Sequence, residues 1–484
     1  MQTPAQVDGG ASPAVPPGPG RACALGIDLG TSSVKVAVVE DAGRGPVVVE
    51  SCSRETRAQV ESQAAGLQGD EQDIQKIVAA LDECLIALPR QLLQGVRRIG
   101  ISGQMHGIVF WKAGRGCKWT GSGTGQRFEP EEVSHLITWQ DGRCSSIFLS
   151  LLPPPQSHLS VATGFGCATI YWYLRNSPDF LTRYDVAGTI QDYVVSMLCG
   201  QERPRMSVQN AASWGYFNTT RKNWNMDILG ESHFPIHFLP EIVDPGDLAG
   251  ETSCVWHAIP KGAQVGAALG DCQCSVYSCM PKSTDAVLNI GTSAQLTVLA
   301  PFGFQPAESP DPRSPVTYFP YFGNRYLAVA ASLNGGNVLA AFVDMLAEWM
   351  AELGLEVPRS ALYLRTIQAA LARADTALSV CPTVFGERHM PEQRGSVTDI
   401  AASDLSLGHV TRALCRGVVQ NLHSMMPSQR LAEAGAKRIL ASGSALSRNE
   451  VLRQEVERTY PFPVVYGKDM DAAVGAALVM LHRK

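Results

Sequence analysis

From Ala22 to Glu40 the chain runs apolar, breaks at a Gly-Thr-Ser turn, and resumes with Val34, Val36 and Val38 alternating against Lys35, Ala37 and Val39. Alternation of period two beside a glycine turn predicts a strand, a tight turn and a second strand. From Asp73 to Leu88 the period becomes helical. Ile74, Ile77, Val78, Leu81, Cys84, Leu85 and Leu88 share one face, and Asp73 is placed to cap it. A strand, loop and strand are then predicted from Arg97 to Trp111. The stretch from Lys112 to about His135, rich in glycine and charge, reads as a surface excursion.

The opening pattern occurs twice. Asp28, Gly30, Thr31 and Ser32 have counterparts in Asn289, Gly291, Thr292 and Ser293, so the turn chemistry is kept and the acid is not. Ser102 and Gly103, at the end of an apolar run, have counterparts in Ser442 and Gly443. A helical face of Val410, Ala413, Leu414, Gly417, Val418 and Leu422 precedes the second copy. Two repeats in the same order predict a duplicated α/β domain with mixed sheets and a ligand cleft between the copies. The expected division is a disordered tail over 1–21, a first lobe over 22–280 and a second lobe over 285–484.

Composition narrows the function. A chain of 484 residues exceeds one ordinary core, and 18% charged with 45% apolar residues suits a folded enzyme. A net charge of -5 offers no footprint for nucleic acid or an anionic membrane, so a small-molecule partner is expected. Thirteen cysteines without metal-ligand spacing read as reduced thiols in a cytoplasmic protein. The Pro-, Gly- and Ala-rich first residues lack the pattern of a targeting segment. No apolar run reaches the roughly 18 residues of a membrane span. Oligomeric state does not follow from any of this.

The candidate chemistry lies at the turns. Gly30, Thr31 and Ser32 expose backbone N–H groups and hydroxyls where the missing Cβ lets a phosphate approach, and Gly291 and Thr292 repeat the device. Asp28 ends an apolar strand just before the first turn. It is a candidate to hold Mg2+ with the phosphates of ATP, or alternatively to cap nearby amides. Lys35 either reaches solvent or neutralises phosphate. Asp271 follows a small-residue strand and is the candidate base that takes a proton from an alcohol, with a helix N-cap as the competing role. Gln104, Met105 and His106 offer amide, thioether and imidazole to a sugar, and Trp139 and Asp141 an aromatic face beside polar groups. The competing reading of Trp139 to Arg143 is a buried ring with an ion pair. Gly443, Ser444 and Asn449 could close over ribose and adenine, or simply form a turn with Asn449 as cap.

Together, Asp28 to Lys35, Ser102 to Gly107, Trp139 to Arg143, Gly270-Asp271 and Gly291 to Ser293 resemble the FGGY carbohydrate kinase family, over Leu25 to Met480. The resemblance implies ribonuclease H-like, actin-like ATPase folds in both lobes and ATP with Mg2+ in the cleft between them. It also implies Asp271 as catalytic base, with Gln104, Met105 and His106 near the sugar. Phosphorylation of a ketose is the implied activity. The Gln-Met-His-Gly loop is shared by relatives acting on different ketoses. An actin-like nucleotide switch without sugar chemistry is the alternative. Cys272 and Cys274 depart from the small or apolar residues expected beside the base.

Overall fold

A computed structural model describes residues 22–483 apart from 42, 44 and 468. The expected tail over 1–21 lies outside the described residues. The first sheet contains β1 (Ala22–Leu29), β2 (Ser33–Asp41), β3 (Pro46–Glu55), β4 (Arg98–Gly103), β5 (Leu248–Glu251) and β6 (Gln264–Gly266), in the order β5-β6-β4-β1-β2-β3. β1, β2 and β3 form an antiparallel meander, while β4 and β6 extend the sheet in parallel. Between β3 and β4 runs α1 (Ile74–Ala87), capped by Asp73, whose side chain accepts from Gln75 N. Its buried face, from Ile74 to Leu85, joins the core beneath the sheet.

The second sheet repeats that plan. Its strands are β7 (Asp285–Ile290), β8 (Ala294–Leu299), β9 (Val316–Pro320), β10 (Tyr326–Ser332), β11 (Arg438–Ser442) and β12 (Val464–Tyr466), in the order β9-β10-β8-β7-β11-β12. β7, β8 and β10 are antiparallel neighbours, and β11 and β12 join in parallel. The register is also kept: Asp28 stands opposite Ser102 in the first sheet, and Asn289 opposite Ser442 in the second. The helix α2 (Asp271–Cys279) follows the first lobe's last strand, and α3 (Leu407–Met425) fills the role of α1 in the second core.

A linear cut between Met280 and Asp285 does not follow the packing. Val276 and Met280, in and just after α2, pack with Val287, Leu299, Leu327 and Val329 of the second sheet. The last helix, α4 (Ala472–His482), returns instead to the first sheet, where Ala477 and Met480 meet Ala24 and Val39. Three glycines permit this close approach. A Cβ on Gly26 would lie 1.8 Å from Ala473 O, one on Gly100 2.1 Å from Ala476 O, and one on Gly475 1.9 Å from Cys274 O. The two closing helices thus cross at backbone contact, each serving the sheet of the other lobe.

The stretch from Lys112 to His135 is more ordered than its composition suggests. Strands Cys117–Thr120 and Arg127–Pro130 pair as a hairpin, and Phe128 is buried in the first core near Trp256. One large aromatic outweighs the surrounding glycines because its burial contributes about 1.5–3 kcal/mol. Gly475→Ala should lower stability by about 1–3 kcal/mol through overpacking, read by thermal denaturation. Gly230→Ala, where an added Cβ meets nothing within 4 Å, should be neutral or stabilising.

Candidate active site

The crossing helices and the first hairpin converge on three carboxylates. Asp28 lies at the end of β1, one residue before Leu29, Asp271 begins α2, and Asp471 caps α4 by accepting from Val474 N. Asp28 Oδ1 lies 3.1 Å from the Ser102 hydroxyl, its neighbour across the parallel register. Burial raises the Asp28 carboxyl to about 6, the Ser102 hydrogen bond opposes this, and Asp471 adds to it against Lys35. Asp271 is pushed up to about 7, first by burial and then by the charge of Asp28, although Cys272 N donates to its Oδ1 at 2.7 Å. Both acids are half-buried. Two carboxylates raised together lack compensating positive charge, as required of a pair that receives a cation or a proton.

The phosphate turns flank these acids. Gly30 N donates to Ser33 O and Gly291 N to Ser293 O, both at 3.0 Å, so each turn is closed by its glycine and the second is one residue shorter than the first. The first adjoins Asp28, whose Oδ2 lies 3.8 Å from the Cβ position of Gly30. Past the second turn, Gln295 of β8 places its amide 3.9 Å from the sulfur of Cys272, the residue after Asp271. Ser32 and Thr292 are exposed and Thr31 is half-buried. Gly443 has φ +108°, and a Cβ there would meet Asn289 Oδ1 at 2.3 Å, so only glycine brings this loop against β7. Ser444, next in the chain, is exposed.

Behind the acids lies the loop from Gln104 to Gly107. Met105 is buried, with its sulfur 2.7 Å from the Cβ position of Gly270, so it packs under the start of α2. His106 adopts φ +74° and stacks on Phe165 at 4.3 Å. Its Nδ1 lies 2.8 Å from Ser213 O, and because a carbonyl only accepts, Nδ1 carries the proton. Burial lowers the imidazole to about 4, so the ring is neutral and Nε2 is left as an acceptor. Trp139 is 42% exposed and donates Nε1–H to Thr31 Oγ1 at 3.0 Å, joining an aromatic face to the phosphate turn. Gln104 is buried and its amide donates to Gln72.

Three expected ligands have other occupations. Asp141 is fully buried and accepts from Asp70 N and from the backbone N, Nε and Nη2 of Arg143. Its oxygens are consumed by a buried ion pair and do not reach a sugar. Asn449 is 1% exposed and accepts from Val451 N and Leu452 N at the start of the helix Glu450–Thr459, which makes it a cap and not a ribose contact. Lys35 does not stand free toward a phosphate: it pairs with Asp471. Composition alone hides these outcomes, since a ligand contact and a satisfied buried pair use the same side chains. Residues the motifs missed are Asp471, signalled only by its place before a small-residue helix, and Gln72, Phe165 and Ser213, which carry no local signal.

Comparison with known proteins decides the family. The FGGY family of carbohydrate kinases, N-terminal domain, matches residues 23–277. The chain belongs to the FGGY family of carbohydrate kinases. It is 66% identical to the sedoheptulokinase of Mus musculus over 96% of this chain and 98% of that one. It is 64% identical to the sedoheptulokinase of Homo sapiens, with the same coverage. Among solved structures, a xylulose kinase from Rhodospirillum rubrum superposes with a TM-score of 0.77 at 18% identity, over 95% of this chain and 89% of that one. The Plasmodium falciparum glycerol kinase with ADP superposes with a TM-score of 0.73 at 16% identity, over 95% and 88%. These neighbours share the two-lobed, actin-like fold that this carbohydrate kinase has.

Divalent metal fits this kinase only in company. Among the described residues, no group of three or more His, Cys, Asp or Glu is arranged to hold a metal. Two under-compensated carboxylates beside phosphate turns suit an ion whose other ligands are water and phosphate.

The raised acids make opposite demands on stability and chemistry. The folded protein holds these protons more tightly than the unfolded chain, whose aspartates titrate near 3.8. Their contribution is therefore full below that value and is lost as pH rises through about 6 to 7. Asp271→Asn should stabilise the ligand-free protein by roughly 1–2 kcal/mol at pH 8, with the gain shrinking below pH 7 and gone below the unfolded value near 3.8 in paired melting curves. Asp141→Asn should instead lower stability by about 3–5 kcal/mol while leaving the sugar KM of the folded enzyme nearly unchanged. A raised KM at unaltered melting temperature would restore Asp141 to the sugar site.

Proposed function

We propose that this kinase transfers the γ-phosphoryl group of ATP to the primary hydroxyl of sedoheptulose, giving sedoheptulose 7-phosphate and ADP. The choice of sugar rests on the 66% and 64% identity to the two sedoheptulokinases over nearly the whole chain. The chemistry rests on one observation: Asp271, half-buried at the start of α2, is raised to about 7 by burial and by the charge of Asp28, the acid that adjoins the first phosphate turn.

Asp271 accepts the hydroxyl proton as that oxygen bonds to the γ-phosphorus and the bond to the ADP oxygen breaks. Gly30, Thr31 and Ser32 from one side, and Gly291 and Thr292 from the other, donate to the phosphates. Gly443 and Ser444 face the nucleoside. Asp28 would hold Mg2+ together with the phosphates, and when bound the ion offsets the negative charge gathered there. His106 receives a sugar hydroxyl at Nε2, Gln104 contributes its amide, Met105 backs the site, and Trp139 offers its exposed face to the carbon skeleton. Closure of the lobes excludes water that would otherwise divert ATP. All thirteen cysteines are unbonded, which supports residence in the reducing cytoplasm. No described helix is long and apolar enough to cross a membrane.

Coupled ADP release over a ketose panel should show the highest kcat/KM for sedoheptulose. A higher value for xylulose would reassign the sugar, and release indifferent to every sugar would favour a nucleotide switch. Asp271→Asn should lower kcat about 100- to 10,000-fold with ATP affinity nearly unchanged, as expected for loss of an interaction made in the transition state.

A further inference from the structure

Gln72 ends the strand Gly66–Gln72 and is 3% exposed. Its Nε2 donates to the carbonyl of Thr31 at 2.7 Å. Its Oε1 accepts from Gln104 Nε2 at 3.1 Å. This one side chain therefore touches both the first phosphate turn and the sugar loop. A second link runs beside it, since Gln104 N donates to Leu29 O at 2.9 Å.

The hydrogen-bond polarity along this line is fully determined. A carbonyl only accepts, so Gln72 must turn its nitrogen toward Thr31. Its oxygen then faces Gln104, which must answer with nitrogen. The sequence of donors ends at Gln104 Oε1, which is buried and has no partner among the described residues. An unpaired buried acceptor is unfavourable, and a donor arriving there is correspondingly favoured. Thr31 is held at its other end too, because its hydroxyl accepts from Trp139.

We propose that Gln72 is a positioning residue that presents Gln104 Oε1 as the acceptor for a sugar hydroxyl and carries the occupancy of that site to the Thr31 phosphate turn. The inference rests on the kinase reading above and adds a route by which sugar and nucleotide bind cooperatively. A hydroxyl donating to Gln104 polarises its amide, strengthens the bond to Gln72, and through it the bond to the Thr31 carbonyl. Filling the sugar site then orders the turn that receives the triphosphate. Thr31 is the common member, with Gln72 on its carbonyl and Trp139 on its hydroxyl.

The test uses the full-length protein with Mg2+, a non-hydrolysable ATP analogue and sedoheptulose. In the wild type, saturating sugar should tighten analogue binding about tenfold. Gln72→Met removes both hydrogen bonds and should reduce that factor to about twofold or less, with a sugar KM raised about tenfold. Gln72→Glu keeps an acceptor for Gln104 but sets an acceptor against the Thr31 carbonyl. It should lose the coupling while holding the sugar KM within about threefold, a split that general loosening of the fold would not produce. It also carries the test should the methionine variant fail to fold. Coupling in the folded variants within twofold of wild type, or a wild type without coupling, overturns the role. Turnover of the wild type on the ketose panel, measured in parallel, separates the two levels: its absence overturns the kinase reading, and its presence with unchanged coupling overturns only the part given to Gln72.

Discussion

The backbone contact between α2 and α4 is the constraint on which the site depends. Gly475 lets the two helices touch at Cys274, and Gly26 and Gly100 let α4 lie directly on β1 and β4. Each helix starts with an acid, Asp271 for α2 and Asp471 as the cap of α4, and Asp28 is the next-to-last residue of β1. Bringing three backbones this close gathers three carboxylates on one floor, where Lys35 answers only one of them directly. The upward shifts of the Asp28 and Asp271 carboxyls follow from that packing. Larger side chains at the glycines would separate the helices and relax the very crowding that keeps Asp271 near neutrality.

The crossing also ties chemistry to motion. α2 belongs by sequence to the first lobe yet packs through Val276 on the second sheet while its Cys274 stays with Leu269 and α4, and α4, from the second half of the chain, packs on the first sheet. Movement of one lobe relative to the other is therefore felt at both helices, and so at the residues that begin them. A carboxylate on a helix shared in this way responds to closure without a dedicated lid, in the manner of shear between packed helices.

Much of the fold was legible because its signals are local and repeated. The glycine turn, the alternating strand behind it and the Ser-Gly strand end occur in both halves, and the shared register of Asp28 with Ser102 and Asn289 with Ser442 is their three-dimensional counterpart. The exchange of α2 and α4 was not legible, because small residues that permit close packing look the same whichever sheet they meet. Asp141 and Asn449 show the same limit in the site. An acid beside an arginine and an asparagine before a helix are compatible with a ligand, but once buried with every acceptor position filled they are structural. Gln72 had no signal at all, since its meaning comes from Thr31 and Gln104, distant in sequence and adjacent in space.

The two halves differ where a functional division of labour requires it. Asp28 and Asn289 occupy the same place in the two sheets, yet one carries a charge and the other an amide. Two unit charges about 4 Å apart interact by roughly 4 kcal/mol at an effective dielectric of 20, so a second carboxylate beside the other phosphate turn would oppose a bound triphosphate. Asn289 keeps the shape without the repulsion, and its Oδ1 lies 2.3 Å from the Cβ position of Gly443, a space that only glycine leaves between the strand end and the loop carrying Ser444. On the proposed reading the duplicated lobe thus gave up its acid to accept nucleotide, while the first kept Asp28 beside Asp271 for metal and proton. A duplicated scaffold supplies two related turns, and the replacement of carboxylate by amide beside the second makes their charges unequal.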